Sequence, residues 1–268
     1  MQTNQGSRLA AHRLSVSYTH RTVVRELDLE IPDGSFTVLI GPNGCGKSTV
    51  LRAMARILKP SAGEITLDGS PIHDLHSRHV ARTIGLLPQA PITPDGITVG
   101  ELVARGRYPH QGPLRRESAE NRRVIEQCLE QTGIREFAER PMAELSGGQR
   151  QRAWIAMALA QDTELLLLDE PTTYLDLAHQ IDVLELCARL HREGRTVVAV
   201  LHDLNQAARY ATHLIAMRDG AILAAGPPAE ILTAQLVEQA FDLPARIIED
   251  PESGTPLVIP RTRRPADG

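Results

Sequence analysis

Hydrophobic side chains run without strict alternation through four short stretches, residues 36–40, 84–87, 165–168 and 197–201. Apolar runs of this length predict strands covered by helices on both faces, the setting of a parallel sheet. Segments 13–18, 26–31 and 64–67 instead alternate apolar and polar positions, which predicts a half-exposed antiparallel sheet near the N-terminus. Residues 214–218 and 221–224 are separated by Asp219-Gly220 and read as a β-hairpin, because that dipeptide tolerates the positive φ of a two-residue turn. The pattern is that of an α/β protein with a mixed core sheet and an antiparallel β-subdomain.

Between residues 91 and 160 the apolar period lengthens to that of helices. Thr98 followed by Glu101 makes a capping box, and Val124, Ile125, Cys128 and Leu129 share one helix face. Residues 153–160 are apolar throughout, so that helix must be buried all round. A further helix is expected over 49–58. One domain of 268 residues accommodates all of this. Residues 1–90 and 161–245 would form the core with its β-subdomain, 91–160 a helical insertion, and 246–268, rich in Pro and Arg, a loosely attached tail.

Composition narrows the function. A hydrophobic content of 42% supports a sizeable core, and a net charge of −4 argues against a general nucleic-acid binder. Cys45, Cys128 and Cys187 have neither metal nor disulfide spacing, which suits a reducing compartment. No apolar run approaches a membrane span, and the first residues show no export signal. The expectation is a soluble cytoplasmic chain that reaches a membrane only through a partner.

The chemistry lies where the four runs end. Open α/β sheets bind ligands beyond the carboxyl ends of their strands. Residues 36–40 lead into Gly41-Pro42-Asn43-Gly44-Cys45-Gly46-Lys47-Ser48, which fits G-x-x-x-x-G-K-S. In that pattern glycines let backbone N–H groups wrap a phosphate, the lysine reaches the outer phosphate oxygens, and the serine hydroxyl ligates Mg²⁺. Cys45 reads as a small loop residue. The other runs end at Gln89, at Asp169-Glu170 and at His202. Asp169 and Glu170 suit a Mg²⁺ shell and the polarisation of a water, or else cap a helix ahead of Pro171. Gln89 and His202 taken singly are as readily backbone caps or surface groups. Tyr18 either stacks on a ring ligand or packs within its sheet.

Leu145-Ser146-Gly147-Gly148-Gln149 is a second helix start suited to an anion, because unpaired N–H groups and the helix dipole converge there. One chain thus carries two phosphate-binding corners and apparently one nucleotide. The plain alternative is a glycine turn ahead of a buried helix.

In this order, Tyr18, the 41–48 loop, Gln89, Leu145 to Gln149, Leu165 to Glu170, Leu175-Asp176 and His202 resemble the nucleotide-binding subunits of ABC transporters, over nearly the whole chain from Leu14 to about Pro260. The resemblance implies a P-loop NTPase fold of ABC type, ATP hydrolysis, and ATP with Mg²⁺ as ligands. It implies nucleotide contacts from Tyr18, from Gly41 through Thr49, and from Ser146, Gly147, Gly148, Gln149 and Asp176. Metal contacts fall to Ser48, Gln89 and Asp169, and catalysis to Lys47, Gln89, Glu170 and His202. Two copies would pack head to tail, so that the glycine corner of one closes the nucleotide of the other.

The stretch Glu101-Leu-Val-Ala-Arg-Gly-Arg-Tyr-Pro-His110 resembles importers of ferric siderophores, haem and cobalamin. Residues 149–157 and 201–207 are most similar to the ferric-siderophore type, particularly that for ferric enterobactin. This implies two integral-membrane permease subunits contacting the 89–110 region, with Arg105, Arg107, Tyr108 and His110 as contact candidates beside the basic residues Arg115, Arg116, Arg122 and Arg123. A periplasmic or lipoprotein siderophore-binding protein would take part indirectly, nucleic acid would not, and the subunit would sit peripherally on the cytoplasmic face of the inner membrane. Haem or cobalamin import, or a soluble ABC ATPase of cluster assembly, are the alternatives. A module that holds ATP without turnover is disfavoured by the presence of both Glu170 and His202.

Overall fold

The computed structural model describes residues 7–18, 21–111 and 118–261, so Arg115 and Arg116 lie outside the described residues. The chain begins with β1 (Ser7–Tyr18), β2 (Arg21–Pro32), β3 (Phe36–Ile40), α1 (Lys47–Met54), β4 (Ala62–Leu67) and β5 (Ser70–Pro71). There follow α2 (Ser77–Thr83), β6 (Ile84–Leu87), α3 (Val99–Arg105), α4 (Ala119–Gln131), α5 (Gly147–Ala160), β7 (Leu165–Asp169) and α6 (Leu177–Arg192). The last part holds β8 (Thr196–Val200), α7 (Leu204–Tyr210), β9 (His213–Arg218), β10 (Ala221–Gly226), α8 (Pro228–Ile231), α9 (Ala234–Phe241), β11 (Ala245–Glu249) and β12 (Pro256–Pro260). Two compact units result, Met1–His73 with Val198–Gly268, and Asp74–Val197.

In the first unit an antiparallel sheet has the order β2-β1-β4-β5. Its two long strands each change phase once. Leu9 and Ala11 are buried on β1, then Leu14 and Val16. The switch from odd to even positions falls at Arg13, whose φ is 46° and where the register with β2 shifts. On β2, Val24 gives way to Leu27, Leu29 and Ile31 after Glu26, with φ 42°. An extra residue in a strand turns every later side chain to the other face, so these bulges keep one face apolar across the phase change. Strict alternation therefore reveals only the segments beyond each bulge, and the real strands are longer than 13–18 and 26–31.

Also in the first unit, β3 pairs in parallel with β9, which pairs antiparallel with β10, so the arrangement is mixed. The described part of the tail, up to Arg261, is not loose. β11 and β12 form a hairpin, and the Asn205 side chain at the start of α7 grips it, accepting from Val258 N–H at 2.7 Å and donating to the Val258 carbonyl at 3.3 Å. The helix expected over 49–58 ends at Met54. Arg56 turns left-handed at φ 60°, and Pro60 disfavours helical backbone just before it.

The second unit takes in more than the helical segment 91–160, because the parallel pair β6 and β7 and the helices α2 and α6 belong to it. Thr98 and Glu101 complete the capping box of α3 reciprocally. In α5, Ala153 to Ala156 and Ala158 to Ala160 are buried, as its apolar second half requires, while Met157 is half-buried. Cys128 and Leu129 are buried on α4, whereas Val124 and Ile125 are only half-buried. All five residues of β8 are buried. Thr196 donates to the Glu164 carbonyl at 2.9 Å, and Leu201, just past the strand, to that of Leu39 at 3.3 Å.

Candidate nucleotide site

In the first unit, β3 runs directly into the glycine loop. Gly41 has φ 149°, and a Cβ there would sit 2.2 Å from the Met217 carbonyl oxygen. Gly46 has φ 107°, with a Cβ 3.1 Å from Val24. No residue but glycine fits the first without displacing β9. The turn between β9 and β10 pins the loop from outside, Gly220 N–H donating to the Cys45 carbonyl at 3.0 Å. Lys47 is buried, and its Nζ arches back to donate to the carbonyls of Gly41 at 2.8 Å and Pro42 at 3.0 Å. An ammonium held in a buried loop by neutral acceptors is prepared for an anion, whose charge compensates it far better. Burial pushes the Cys45 thiol up while nearby Lys47 pulls it down, and burial prevails. Pro42 is half-buried and Asn43 exposed in the loop, and Ser48 and buried Thr49 open α1.

Two more candidates belong to this unit. Because Leu201 bonds to Leu39, His202 leaves β8 beside the end of β3 from which the loop departs; it is exposed and precedes Asp203, the cap of α7. Tyr18 ends β1 opposite Arg21 and keeps 43% of its surface exposed. Val23 and Val24, just beyond Arg21, line Gly46. Of the two readings open for Tyr18, an accessible ring is what the sheet provides.

In the second unit the register Leu87↔Leu168 places Gln89 and Glu170 each two residues past matched positions on parallel strands. Gln89 is exposed, Asp169 fully buried and Glu170 half-buried. Glu170 adopts φ 56° and accepts from the Thr173 hydroxyl at 3.2 Å. A left-handed non-glycine backbone costs roughly 1–3 kcal/mol, and such strain concentrates at functional sites.

Ser146 caps α5: its hydroxyl accepts from Gln149 N–H at 3.2 Å, and the Gln149 side chain accepts from Ser146 N–H at 3.0 Å. Gly147 and Gly148 fill the first two helical positions. Neither has positive φ, and a Cβ at either would meet nothing nearer than 3.7 Å. The folded chain therefore gives no steric reason for glycine here, whereas glycine in a helix costs about 0.5–1 kcal/mol relative to alanine. Asp176 caps α6, and the backbone N–H of His179, with its side chain, holds that carboxyl below the ordinary range.

One of the contact candidates in the 89–110 region is not available as surface, and another is half-buried. Arg107 is buried, donating to Asn121 Oδ1 and to the Ala160 carbonyl, both at 3.0 Å, with the Asp162 carboxylate 3.8 Å away. It ties α3, α4 and α5 together. His110 lies within 2.7 Å of the Gln161 carbonyl through Nε2. Arg105 and Tyr108 are exposed and, with Asp95, Ile97 and Glu101, line an open groove of about 430 Å³. Sequence reasoning also missed the part played by Gly220. The Asp219-Gly220 turn was legible as a turn, but nothing local says that it holds the loop 175 residues earlier.

A glycine loop curled over a helix start, an acid pair after a parallel strand and a capped Ser-Gly-Gly corner define an ATP-binding cassette. The chain belongs to the ABC transporter family, whose model matches residues 24–173. It is 55% identical over 262 residues to the ferric enterobactin transport ATP-binding protein FepC of Escherichia coli (strain K12), covering 97% of each chain. To the iron(3+)-hydroxamate import ATP-binding protein FhuC of Bacillus subtilis (strain 168) it is 50% identical, covering 94% of each. Among solved structures, a bacterial ABC transporter cassette determined as a dimer superposes with a TM-score of 0.74 at 29% identity, covering 82% of this chain and 98% of that one. The chain is thus an ABC-type ATPase, and the fold read from its motifs stands.

Proposed function

We propose that this chain is the ATP-hydrolysing subunit that powers import of a ferric siderophore through a membrane ABC transporter. Identity of 55% across 97% of a ferric enterobactin transport ATPase supports that cargo ahead of haem or cobalamin. The subunit sits peripherally on the cytoplasmic face of the inner membrane, on two permease subunits, with a siderophore-binding protein acting across the membrane. Among the described residues no helix is long and apolar enough to cross a membrane. The permease contact in the 89–110 region narrows to the groove of Arg105 and Tyr108.

Two copies hold two ATP molecules between them. In each, Gly41 to Thr49 wraps the phosphates, Lys47 neutralises the outer oxygens and Tyr18 stacks on the base. Ser146, Gly147, Gly148 and Gln149 of the other copy close over the γ-phosphate, with Asp176 at the seam. Ser48, Gln89 and Asp169 present hydroxyl, amide and carboxylate oxygens, the hard donors that Mg²⁺ takes. Bound there, Mg²⁺ would neutralise charge on the phosphates. Glu170 orients and polarises the attacking water, His202 donates toward the γ-phosphate, and Gln89 passes the change to the permease side. Loss of the γ-phosphate removes what joined the two copies.

The observation that carries the reciprocal arrangement is the glycine corner, costly to its own helix and unneeded by its own chain. Glu170→Gln should keep ATP binding and trap a dimer, because the clamp survives while water activation is lost. Gel filtration with MgATP reads this directly; a variant that binds ATP normally yet stays monomeric contradicts the reading. Uptake of radiolabelled iron on several siderophores, in cells lacking the subunit, tests the cargo.

A further inference from the structure

Asp176 caps α6 by accepting from the backbone N–H of His179 at 2.9 Å, and the same oxygen lies 2.7 Å from His179 Nδ1. The ring also lies near Gly148: its Cγ and Cδ2 are 3.7 and 3.8 Å from where a Gly148 Cβ would stand, and a Leu175 methyl carbon is equally near. Other contacts brace the same junction. Gln151 donates to the Pro171 carbonyl at 2.9 Å, and Gln180 to that of Leu175 at 3.1 Å. The turn between is tightly wound, with Tyr174 at φ 65° and Thr173 N–H bonded to the Glu170 carbonyl. Thr173 thus bonds back to Glu170 at one end of this turn, and at the other Leu175 and His179 both approach Gly148.

Capping alone does not account for an imidazole here. The cap needs only the Asp176 carboxylate and a backbone N–H, which any residue at 179 supplies. The third position of a helix favours Glu or Gln, as Glu101 and Gln149 show on α3 and α5, and the helix dipole disfavours a group able to carry positive charge.

We propose that His179 is a positioning residue for hydrolysis: its ring, anchored on Asp176 and seated on Gly148, sets where the glycine corner stands relative to the turn that follows Glu170. This rests on the reading in which that corner closes on the partner copy's nucleotide. In this role His179 acts by holding the corner in one place, and small misplacements of such groups cost rate.

The test uses the full chain with His179→Ala, His179→Leu and His179→Asn. The asparagine amide nitrogen occupies the place of Nδ1 and can still donate to Asp176, whereas leucine fills space only. Melting temperature and ATP affinity of the monomer should be unchanged in all three. The kcat should fall about tenfold in the alanine and leucine variants and recover to within about threefold in the asparagine variant. In the Glu170→Gln background, His179→Ala should weaken the ATP-dependent dimer by about tenfold. Normal kcat in His179→Ala overturns the proposal, as does recovery by leucine equal to that by asparagine, or a fall in melting temperature that tracks the fall in kcat. If Glu170→Gln alone fails to dimerise, the underlying reading has failed; if it dimerises while His179→Ala hydrolyses ATP normally, only the proposal has.

Discussion

Gly148→Ala separates what the chain needs from what its partner needs. Within the chain, the new methyl would rest 3.7 Å from Leu175 and the His179 ring, ordinary contact distances, on a backbone that any residue adopts. The cap is untouched, because the Ser146 and Gln149 side chains each accept from the other's backbone N–H. Removing glycine's freedom in the unfolded chain should then stabilise the isolated protein by about 0.4–1 kcal/mol. For a chain of 268 residues, that corresponds to a rise of roughly 1–2 °C in melting temperature. Scanning calorimetry without nucleotide measures it. In the reading proposed above this corner closes over the second copy's γ-phosphate, and a side chain added there should hinder that closure, so ATP hydrolysis should fall by at least about tenfold, or 1.4 kcal/mol of barrier. A lower melting temperature would mean that the glycine serves the fold after all. A stable variant with wild-type turnover would mean that nothing closes on this corner, and the reciprocal site would be refuted.

Gly41→Ala should do the opposite, destabilising the chain by about 1–3 kcal/mol in urea unfolding, because its Cβ collides with the Met217 carbonyl at 2.2 Å. Arg107→Glu should lower stability by about 3–5 kcal/mol, since it reverses a buried charge bonded to Asn121 and Ala160 beside Asp162, whereas Arg105→Glu should leave urea unfolding unchanged and reduce iron uptake. The Cys45 thiol, pushed up by burial, should be alkylated more slowly at neutral pH than a free peptide thiol, with a rate still climbing where an ordinary thiol is already ionised; mass spectrometry of iodoacetamide-treated protein checks this.

Much of the core could be read from the chain. Residues 36–40 and 84–87 become strands over those residues, and 165–168 and 197–201 do so within a residue, because an unbroken apolar run has few other ways to hide. Spacing alone was enough to bring out the glycine loop, since its chemistry depends on short-range geometry, whereas the acid pair and the Ser-Gly-Gly corner read equally as helix caps and turns until the order of all the motifs was taken together. The bulges at Arg13 and Glu26 escaped, because a phase change erases the alternation on which strand reading depends. The C-terminal hairpin escaped because Asn205, which secures it, lies far away in sequence.

Arg107 marks the division most clearly. Its neighbours in sequence are basic and aromatic, and a local reading puts all of them on one contact surface. Only the folding of α3 against α4 and α5 turns that side chain inward to Asn121 and Ala160 while leaving Arg105 and Tyr108 outside. The amino-acid order by itself determined which strands and turns exist and which groups can meet a phosphate, since those properties reside in a few consecutive residues. Tertiary structure decided which glycines the chain needs for itself and which charges are buried, because both depend on atoms that long loops bring together.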